Sequence, residues 1–148
     1  MAIAAFPHEY VVELNEDQLA AAGAVPLDIG PPSQFGGTDD VWSPEHLLVG
    51  AVLACFKTTF DAFCRRENLV VRAFRATATA LLARSKEGPV FQVIELVVDV
   101  ATDDEARARA VVATAERQCI ISRALVAPVR VTARVSSAAA QPDAVAGL

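Results

Sequence analysis

The feature that most constrains this sequence is an apolar run that follows a strong helix-start signal. Ser43-Pro44-Glu45 combines an N-cap serine, a proline at the first helical position and a glutamate near the positive end of the helix dipole. The following run, Leu47 to Phe56, is apolar on every side and therefore needs cover on all faces. The sequence predicts a central buried helix from Pro44 to about Glu67, with a charged second half that emerges toward solvent.

Strand patterns lie on both sides of this helix. His8 to Leu14 and Ala24 to Ile29 carry β-branched and aromatic residues and predict an N-terminal hairpin. Leu69 to Arg84 and Pro89 to Ala101 predict two long antiparallel strands, joined by the polar, glycine-ending connection Ser85 to Gly88.

The C-terminal third of the sequence mixes helical and strand patterns. Thr102 stands three residues before Glu105, a spacing that predicts a capping box and a helix running to about Gln118. The segment Cys119 to Leu125 predicts a short helical turn, and the alternation in Pro128 to Val135 predicts a closing strand. Helices combined with antiparallel strands indicate the α+β class.

Length, charge and hydropathy favour a soluble domain. We expect one domain over residues 1–136 and a flexible C-terminal tail over residues 137–148. The net charge of −5, without a basic run, argues against nucleic acid or an anionic membrane as a partner. The longest apolar run is about half the length of a bilayer-spanning helix, and the first residues do not resemble a signal peptide.

Three widely spaced cysteines carry the most distinctive chemistry. An odd number of distant thiols suits the reducing cytoplasm better than a secreted disulfide framework. Their spacing to the histidines matches no usual zinc motif, so we expect neither a metal nor another cofactor. Cys64 lies about 180° around the predicted helix from Cys55, so we expect Cys64 to be structural. A cysteine in an apolar helix is by default a packing residue, and this reading also applies to Cys55.

An ordered set of short motifs resembles the OsmC/Ohr family. The family has a Pro-Glu helix start, a cysteine ten residues later, and a second cysteine some sixty-odd residues on in a Cys-x-x-Ser setting. The corresponding separations here, from Glu45 to Cys55 and from Cys55 to Cys119, are 10 and 64 residues. The resemblance covers nearly the whole chain and implies an N-terminal hairpin, a long central helix, antiparallel strands and a second helix, assembled as an intertwined homodimer. The motifs are Ser43-Pro44-Glu45-His46-Leu47-Leu48, Ala54-Cys55-Phe56 and Gln118-Cys119-Ile120-Ile121-Ser122.

The resemblance also implies a thiol peroxidase acting on organic hydroperoxides or hydrogen peroxide. The Cys55 thiolate would attack the peroxide oxygen and become a sulfenic acid, which Cys119 would convert into a disulfide. An external dithiol would then reduce that disulfide. Glu45 is implied as a third site residue, which orients an arginine beside the reactive cysteine. The position of Glu45 is equally well explained by the helix dipole alone.

The sequence departs from the family at this arginine. No arginine precedes Arg65, and the nearest matching position holds the neutral Gln34. Cys55 also lies about three turns inside its own helix, where the helix dipole no longer stabilises a thiolate. Either Lys57 or Arg123 supplies the charge, or the thiol is unassisted and ionises only at about pH 8 to 9.

Three functions follow from these alternatives. The first is a peroxide reductase that uses Cys55 and Cys119. The second is an OsmC-like thiol redox sensor, or a binder of a small apolar ligand, without efficient peroxidase activity. The third is a structural dimer with inert thiols. Gln34, Phe35 and Trp42 are the candidate substrate-binding residues, although the two aromatic rings are also explained as a hydrophobic staple before the helix.

The spacing of Glu45 and Cys55 predicts an obligate dimer. Ten residues of unbroken helix span about 15 Å, which is too far for a carboxylate to reach a sulfur on the same chain. If both residues serve one site, the helix breaks near Gly50 or the glutamate comes from a second subunit. We expect light scattering at micromolar concentration to report about twice the chain mass of 15.6 kDa. A monomer that still consumes peroxide would exclude a shared site.

Overall fold

The computed structural model describes residues 5–137 and divides them into two compact units at the boundary between Leu47 and Leu48. The first unit is residues 5–47 and the second is residues 48–137. The predicted C-terminal tail lies outside the described residues except for Ser137.

The first unit contains a small antiparallel sheet that differs from the predicted hairpin. Strand β1 (Glu13–Asn15) pairs with β2 (Gln18–Ala20), which pairs with β3 (Leu27–Asp28). The hairpin predicted from His8 to Leu14 and Ala24 to Ile29 is therefore wrong in its pairing. The chain reverses at Glu16, whose φ of 50° lies in the left-handed region. The residues after this turn form β2, which lies between β1 and β3 and which the pattern of β-branched residues does not indicate.

Helix α1 (Pro44–Arg66) confirms the predicted long helix to within one residue at its end. The Ser43 side chain acts as the predicted N-cap, because its Oγ accepts a hydrogen bond of 3.2 Å from the His46 backbone N–H. By length and composition alone, α1 could also cross a membrane, a criterion that the core helix of a globular protein meets equally well. The helix does not break at Gly50.

The predicted burial of α1 is wrong within this chain. A single stripe is buried, and it repeats every fourth residue as Val52, Phe56, Phe60 and Cys64. The run from Leu47 to Val49 is only half-buried, whereas the charged second half holds two of the four buried residues. The periodicity of the large side chains, rather than the local density of apolar residues, determines which face packs against the sheet.

A second sheet forms the framework of the second unit. Strands β4 (Val71–Ser85) and β5 (Gly88–Thr102) pair antiparallel through a two-residue turn, which confirms the predicted long hairpin. Gly88 closes that turn with a φ of 119°, a conformation that favours glycine. The closing strand β6 (Val129–Ser136) is also confirmed, and it runs parallel to β5, so that the order is β4-β5-β6.

Two helices connect β5 to β6. Helix α2 (Glu105–Gln118) ends where predicted, and the short helix α3 (Ile120–Ala124) lies within the predicted turn. The predicted cap is wrong, because the Asp104 side chain accepts the hydrogen bond from the Arg107 N–H. Thr102 is instead the buried last residue of β5, and its hydroxyl donates to the Val70 carbonyl at 2.7 Å.

The core lies between one face of the β4-β5-β6 sheet and the helices. The opposite face carries exposed polar residues such as Arg75, Thr77 and Thr79 on β4. This arrangement of helices on one side of a mainly antiparallel sheet confirms the predicted α+β class. The buried residues of this core are Ile94, Leu96, Val98 and Val100 of β5, the α1 stripe, Leu69 after α1, and Ala108, Val111, Val112 and Ala115 of α2.

We predict that Phe60→Ala lowers the free energy of unfolding by about 3–5 kcal/mol, because Phe60 is fully buried and its ring lies 5.1 Å from that of Phe74. Urea denaturation at fixed protein concentration measures this change. The control is Val126→Ala, at a fully exposed position, with an expected change below about 0.5 kcal/mol. Equal effects of the two substitutions would show that α1 does not pack as described.

Candidate active site

The structure brings Cys55 and Cys119 together within the second unit. Cys55 is half-buried in the middle of α1, and its side chain interacts directly with that of Cys119. Cys119 is fully buried at the junction where α2 ends and α3 begins. The two thiols therefore meet where the central helix passes the start of α3.

The start of α3 supplies backbone donors to the Cys55 sulfur. The first N–H groups of a helix have no partner within that helix. Here the N–H groups of Ile120 and Ile121 occupy these positions, and both interact with the Cys55 side chain. The dipole of α1 does not stabilise a thiolate at Cys55, because Cys55 lies in the middle of that helix. The backbone N–H groups of the first turn of α3 interact with Cys55 instead.

These donors make Cys55 more acidic than an ordinary cysteine. Burial raises the pKa of Cys55, but hydrogen bonding from the Ile121 N–H, the Cys119 thiol, the Ile120 N–H and the Thr59 hydroxyl outweighs burial and leaves the pKa lowered. Of the two alternatives left open by the sequence, the unassisted thiol does not fit this lowered pKa, and it stays untested by experiment. The donors named here are neutral groups, whereas the candidates visible in the sequence, Lys57 and Arg123, are cations.

Cys119 is shifted in the opposite direction. Burial raises the pKa of Cys119, the hydroxyl and N–H of Ser122 partly offset this, and the neighbouring Cys55 raises it again. Of the two thiols, Cys55 is therefore the one that ionises first as the pH rises. A cysteine with a lowered pKa beside a second thiol is the arrangement that attack by one cysteine and resolution by the other need.

Cys64 differs from this pair in its surroundings. It is buried in the α1 stripe, and burial together with the charge of Asp61 raises the pKa of Cys64 to about 11. A thiol with this pKa is protonated at neutral pH and is a poor nucleophile. The structural role predicted for Cys64 agrees with this environment and stays a prediction.

The two candidate cations do not act on Cys55 as expected. The Lys57 ammonium pairs with Asp61 and lies 5.1 Å from the centre of the Phe74 ring. Arg123 donates its backbone N–H to the Cys119 carbonyl at 3.2 Å, while its side chain is exposed. Neither belongs to the groups named above that lower the pKa of Cys55.

The other predicted site residues belong to the first unit. Gln34 and Phe35 lie in a short 3₁₀ turn, Ser33–Phe35, and both are exposed. Trp42 is half-exposed, and its backbone carbonyl accepts a hydrogen bond of 3.1 Å from the Gly30 N–H. Their contribution to substrate binding stays a prediction.

Glu45 has an unusual carboxylate. It lies in the first turn of α1, and its Oε2 is buried without a hydrogen-bond partner among residues 5–137. A buried carboxylate oxygen without a donor is unfavourable. A role as helix-dipole partner alone does not explain why this oxygen is withdrawn from solvent.

The second unit combines an α+β fold with two adjacent cysteines, one in the central helix α1 and one between α2 and α3. This combination defines a class of thiol-bearing proteins. The chain belongs to the OsmC-like protein family, whose model matches residues 37–134. No curated protein matches the chain.

Solved structures share the fold at low sequence identity. An OsmC-like protein of unknown function from Vibrio cholerae has a TM-score of 0.75 at 12% identity, covering 88% of this chain and 100% of that one. An organic hydroperoxide resistance protein from Elizabethkingia anophelis has a TM-score of 0.70 at 18% identity, covering 89% and 99%. The organic hydroperoxide resistance protein OhrB of Bacillus subtilis has a TM-score of 0.62 at 20% identity, covering 88% of this chain and 98% of that one. These similarities confirm the predicted OsmC/Ohr fold.

We predict that Cys119→Ala raises the pKa of Cys55, because the substitution removes a donor to the thiolate, whereas Cys119→Ser retains a hydroxyl donor and keeps the pKa low. The measurement is the rate at which iodoacetamide alkylates Cys55 as a function of pH, read from the mass of the Cys55 peptide. Identical pH profiles for the alanine variant and the wild type would contradict the thiol interaction.

Proposed function

We propose that this protein is a cysteine-based peroxidase that reduces organic hydroperoxides or hydrogen peroxide. The observation that carries the proposal is the contact between the Cys55 and Cys119 side chains at the junction of α2 and α3, and it is supported by the lowered pKa of Cys55 and the raised pKa of Cys119. A lowered pKa at a partly exposed cysteine is typical of reactive thiols, whereas inert structural cysteines lack it. The cycle needs no metal or organic cofactor.

The proposed catalytic cycle has three steps. The Cys55 thiolate attacks a peroxide oxygen, the O–O bond breaks, and a sulfenic acid forms while the leaving alkoxide or hydroxide takes up a proton to give an alcohol or, from hydrogen peroxide, water. Cys119 then attacks the sulfenic sulfur, a disulfide forms, and water leaves. An external dithiol reduces the disulfide by exchange and is itself oxidised to a disulfide.

The full site of this proposal is shared between two subunits. Helix α1 is unbroken from Pro44 to Arg66, so Glu45 lies about 15 Å along the axis from Cys55. The proposal therefore takes Glu45 from the second copy of a homodimer, where its unpaired Oε2 meets a donor. A protein with this cycle and free thiols belongs in the reducing cytoplasm.

Two observations support the assignment to peroxides. The first is that the chain belongs to the OsmC-like protein family, whose model matches residues 37–134. Among the fold neighbours, the proteins from Elizabethkingia anophelis and Bacillus subtilis are named for organic hydroperoxide resistance.

The second candidate is a thiol redox sensor, and it is favoured by the absence of arginine before Arg65. A sensor would form the same disulfide but would not turn over. Steady consumption of peroxide in the presence of a dithiol distinguishes the enzyme from the sensor.

We predict that Cys55→Ser abolishes peroxide consumption, because the attacking sulfur is lost, whereas Cys64→Ser leaves the rate within about twofold of wild type. Cys119→Ser should complete a single turnover and stall as a sulfenic acid, which dimedone labels. Consumption of hydroperoxide with a dithiol reductant measures all three variants. An equal loss of rate in the Cys55 and Cys64 variants would show that the thiols are assigned wrongly.

A further inference from the structure

A cavity of about 570 Å³ lies in the second unit, between the start of α1, the first part of β5 and the segment that joins α3 to β6. Its walls are Leu48 of α1, residues 90–92 and 94 of β5, and residues 125–128 of the joining segment. This volume lies within the range of about 300–1,000 Å³ that is typical of small-molecule sites.

A β-bulge shapes the wall that β5 contributes. The register of β4 and β5 shifts between Leu81 and Leu82, so Gln92 is an extra residue in β5. Beyond the shift Phe91 pairs with Leu82, and directly paired residues point to the same side of a sheet. Strict alternation from the buried Ile94 would place Phe91 on the opposite face. The bulge therefore adds Phe91 to the cavity wall.

Backbone hydrogen bonds fix both ends of the segment that joins α3 to β6. The Ile94 N–H donates to the Pro128 carbonyl at 3.0 Å and holds the last residue of the segment against β5. The Leu125 N–H donates to the Ser122 carbonyl at 3.4 Å and holds the first residue against α3. A site that is already formed binds its ligand with a smaller loss of conformational entropy.

The side chains around the cavity favour an uncharged ligand. Among the described residues, all that line the cavity are uncharged, and Gln92 is the one polar side chain. Two other cavities in the second unit, of about 470 and 610 Å³, are lined by charged residues such as Asp61 and Arg107. A charged ligand group would lose its hydration here without gaining a partner, whereas burial of an apolar group is favourable.

We propose that this cavity binds an uncharged, largely apolar small molecule. Leu48 and Cys55 lie seven residues apart on α1, which places them on one face of the helix and about 10 Å apart along its axis. Such a ligand has two possible sources, the apolar end of a hydroperoxide or a separate molecule that is not consumed. The proposal holds for either source and does not depend on peroxidase activity.

The test is a fluorescence titration of the full-length protein with two probes that share one aromatic skeleton. N-phenyl-1-naphthylamine is uncharged, and we expect it to bind at a saturable site. The anionic analogue 8-anilino-1-naphthalenesulfonate should bind at least about tenfold more weakly, because no cation lines the cavity among the described residues.

Three variants locate the uncharged probe. Ala127 lines the cavity, so Ala127→Phe reduces its volume and should weaken binding by roughly tenfold. Gln92→Glu adds a charge at nearly constant size, and it should also weaken binding. The matched control Ala106→Phe lies at an exposed position of α2 and should bind as the wild type does. Circular dichroism verifies that each variant is folded.

Equal affinities for the two probes would overturn the proposal. Unchanged binding in Gln92→Glu or in a folded Ala127→Phe would do so as well, and so would an equal loss in Ala106→Phe. Absence of saturable binding also overturns it, because a second copy or another part of the chain then covers the cavity.

A displacement experiment distinguishes the two sources of the ligand. It uses Cys55→Ser, which lacks the proposed attacking sulfur, and cumene hydroperoxide, which is uncharged and aromatic. Displacement of the bound probe supports the cavity as the site for the apolar end of a hydroperoxide. Retention of the probe supports it as the site of a separate ligand.

Discussion

The packing of one stripe of α1 against the sheet is the constraint on which the rest of the site depends. Val52, Phe56 and Phe60 are buried within this stripe, and each buried side chain of this size contributes about 1.5–3 kcal/mol. Neighbouring residues on a helix differ by about 100° in direction. Because Phe56 faces the core, Cys55 faces the side of the stripe, where α3 begins.

The second constraint is the break between α2 and α3. The chain leaves the helical conformation at Cys119, whose φ of −63° and ψ of 113° are extended, and it resumes a helix at once. This break buries the Cys119 thiol and leaves the N–H groups of Ile120 and Ile121 without helical partners. The same local geometry therefore provides both the second thiol and the donors that make the first one acidic. It accounts for the lowered pKa of Cys55 in a sequence that has no arginine before Arg65.

The sequence predicted the long elements well and the local details poorly. Helix α1 and the strands β4, β5 and β6 have strong periodicity and clear end signals, so their bounds were accurate to a few residues. The strand β2 depends on a left-handed turn at Glu16, and two acceptors near the start of α2, Thr102 and Asp104, compete for the capping role. Tertiary contacts determine which alternative forms, and a local sequence pattern does not reveal these contacts.

The candidate site was only partly predictable for a similar reason. The pairing of Cys55 with Cys119 followed from the family resemblance, because 64 residues separate them in the sequence. Backbone donors have no residue signature, so the role of Ile120 and Ile121 was missed. The restart of a helix directly after Cys119 was visible in the sequence and was the signal that could have revealed these donors.

Disulfide mapping shows whether Cys55 and Cys119 react as a pair. The reduced protein is treated with one equivalent of a hydroperoxide, the remaining thiols are blocked, and the peptides are identified by mass spectrometry. We expect a peptide pair linked through Cys55 and Cys119, with Cys64 recovered as a blocked free thiol. A disulfide between Cys55 and Cys64, or a protein whose three thiols all remain free, would contradict it.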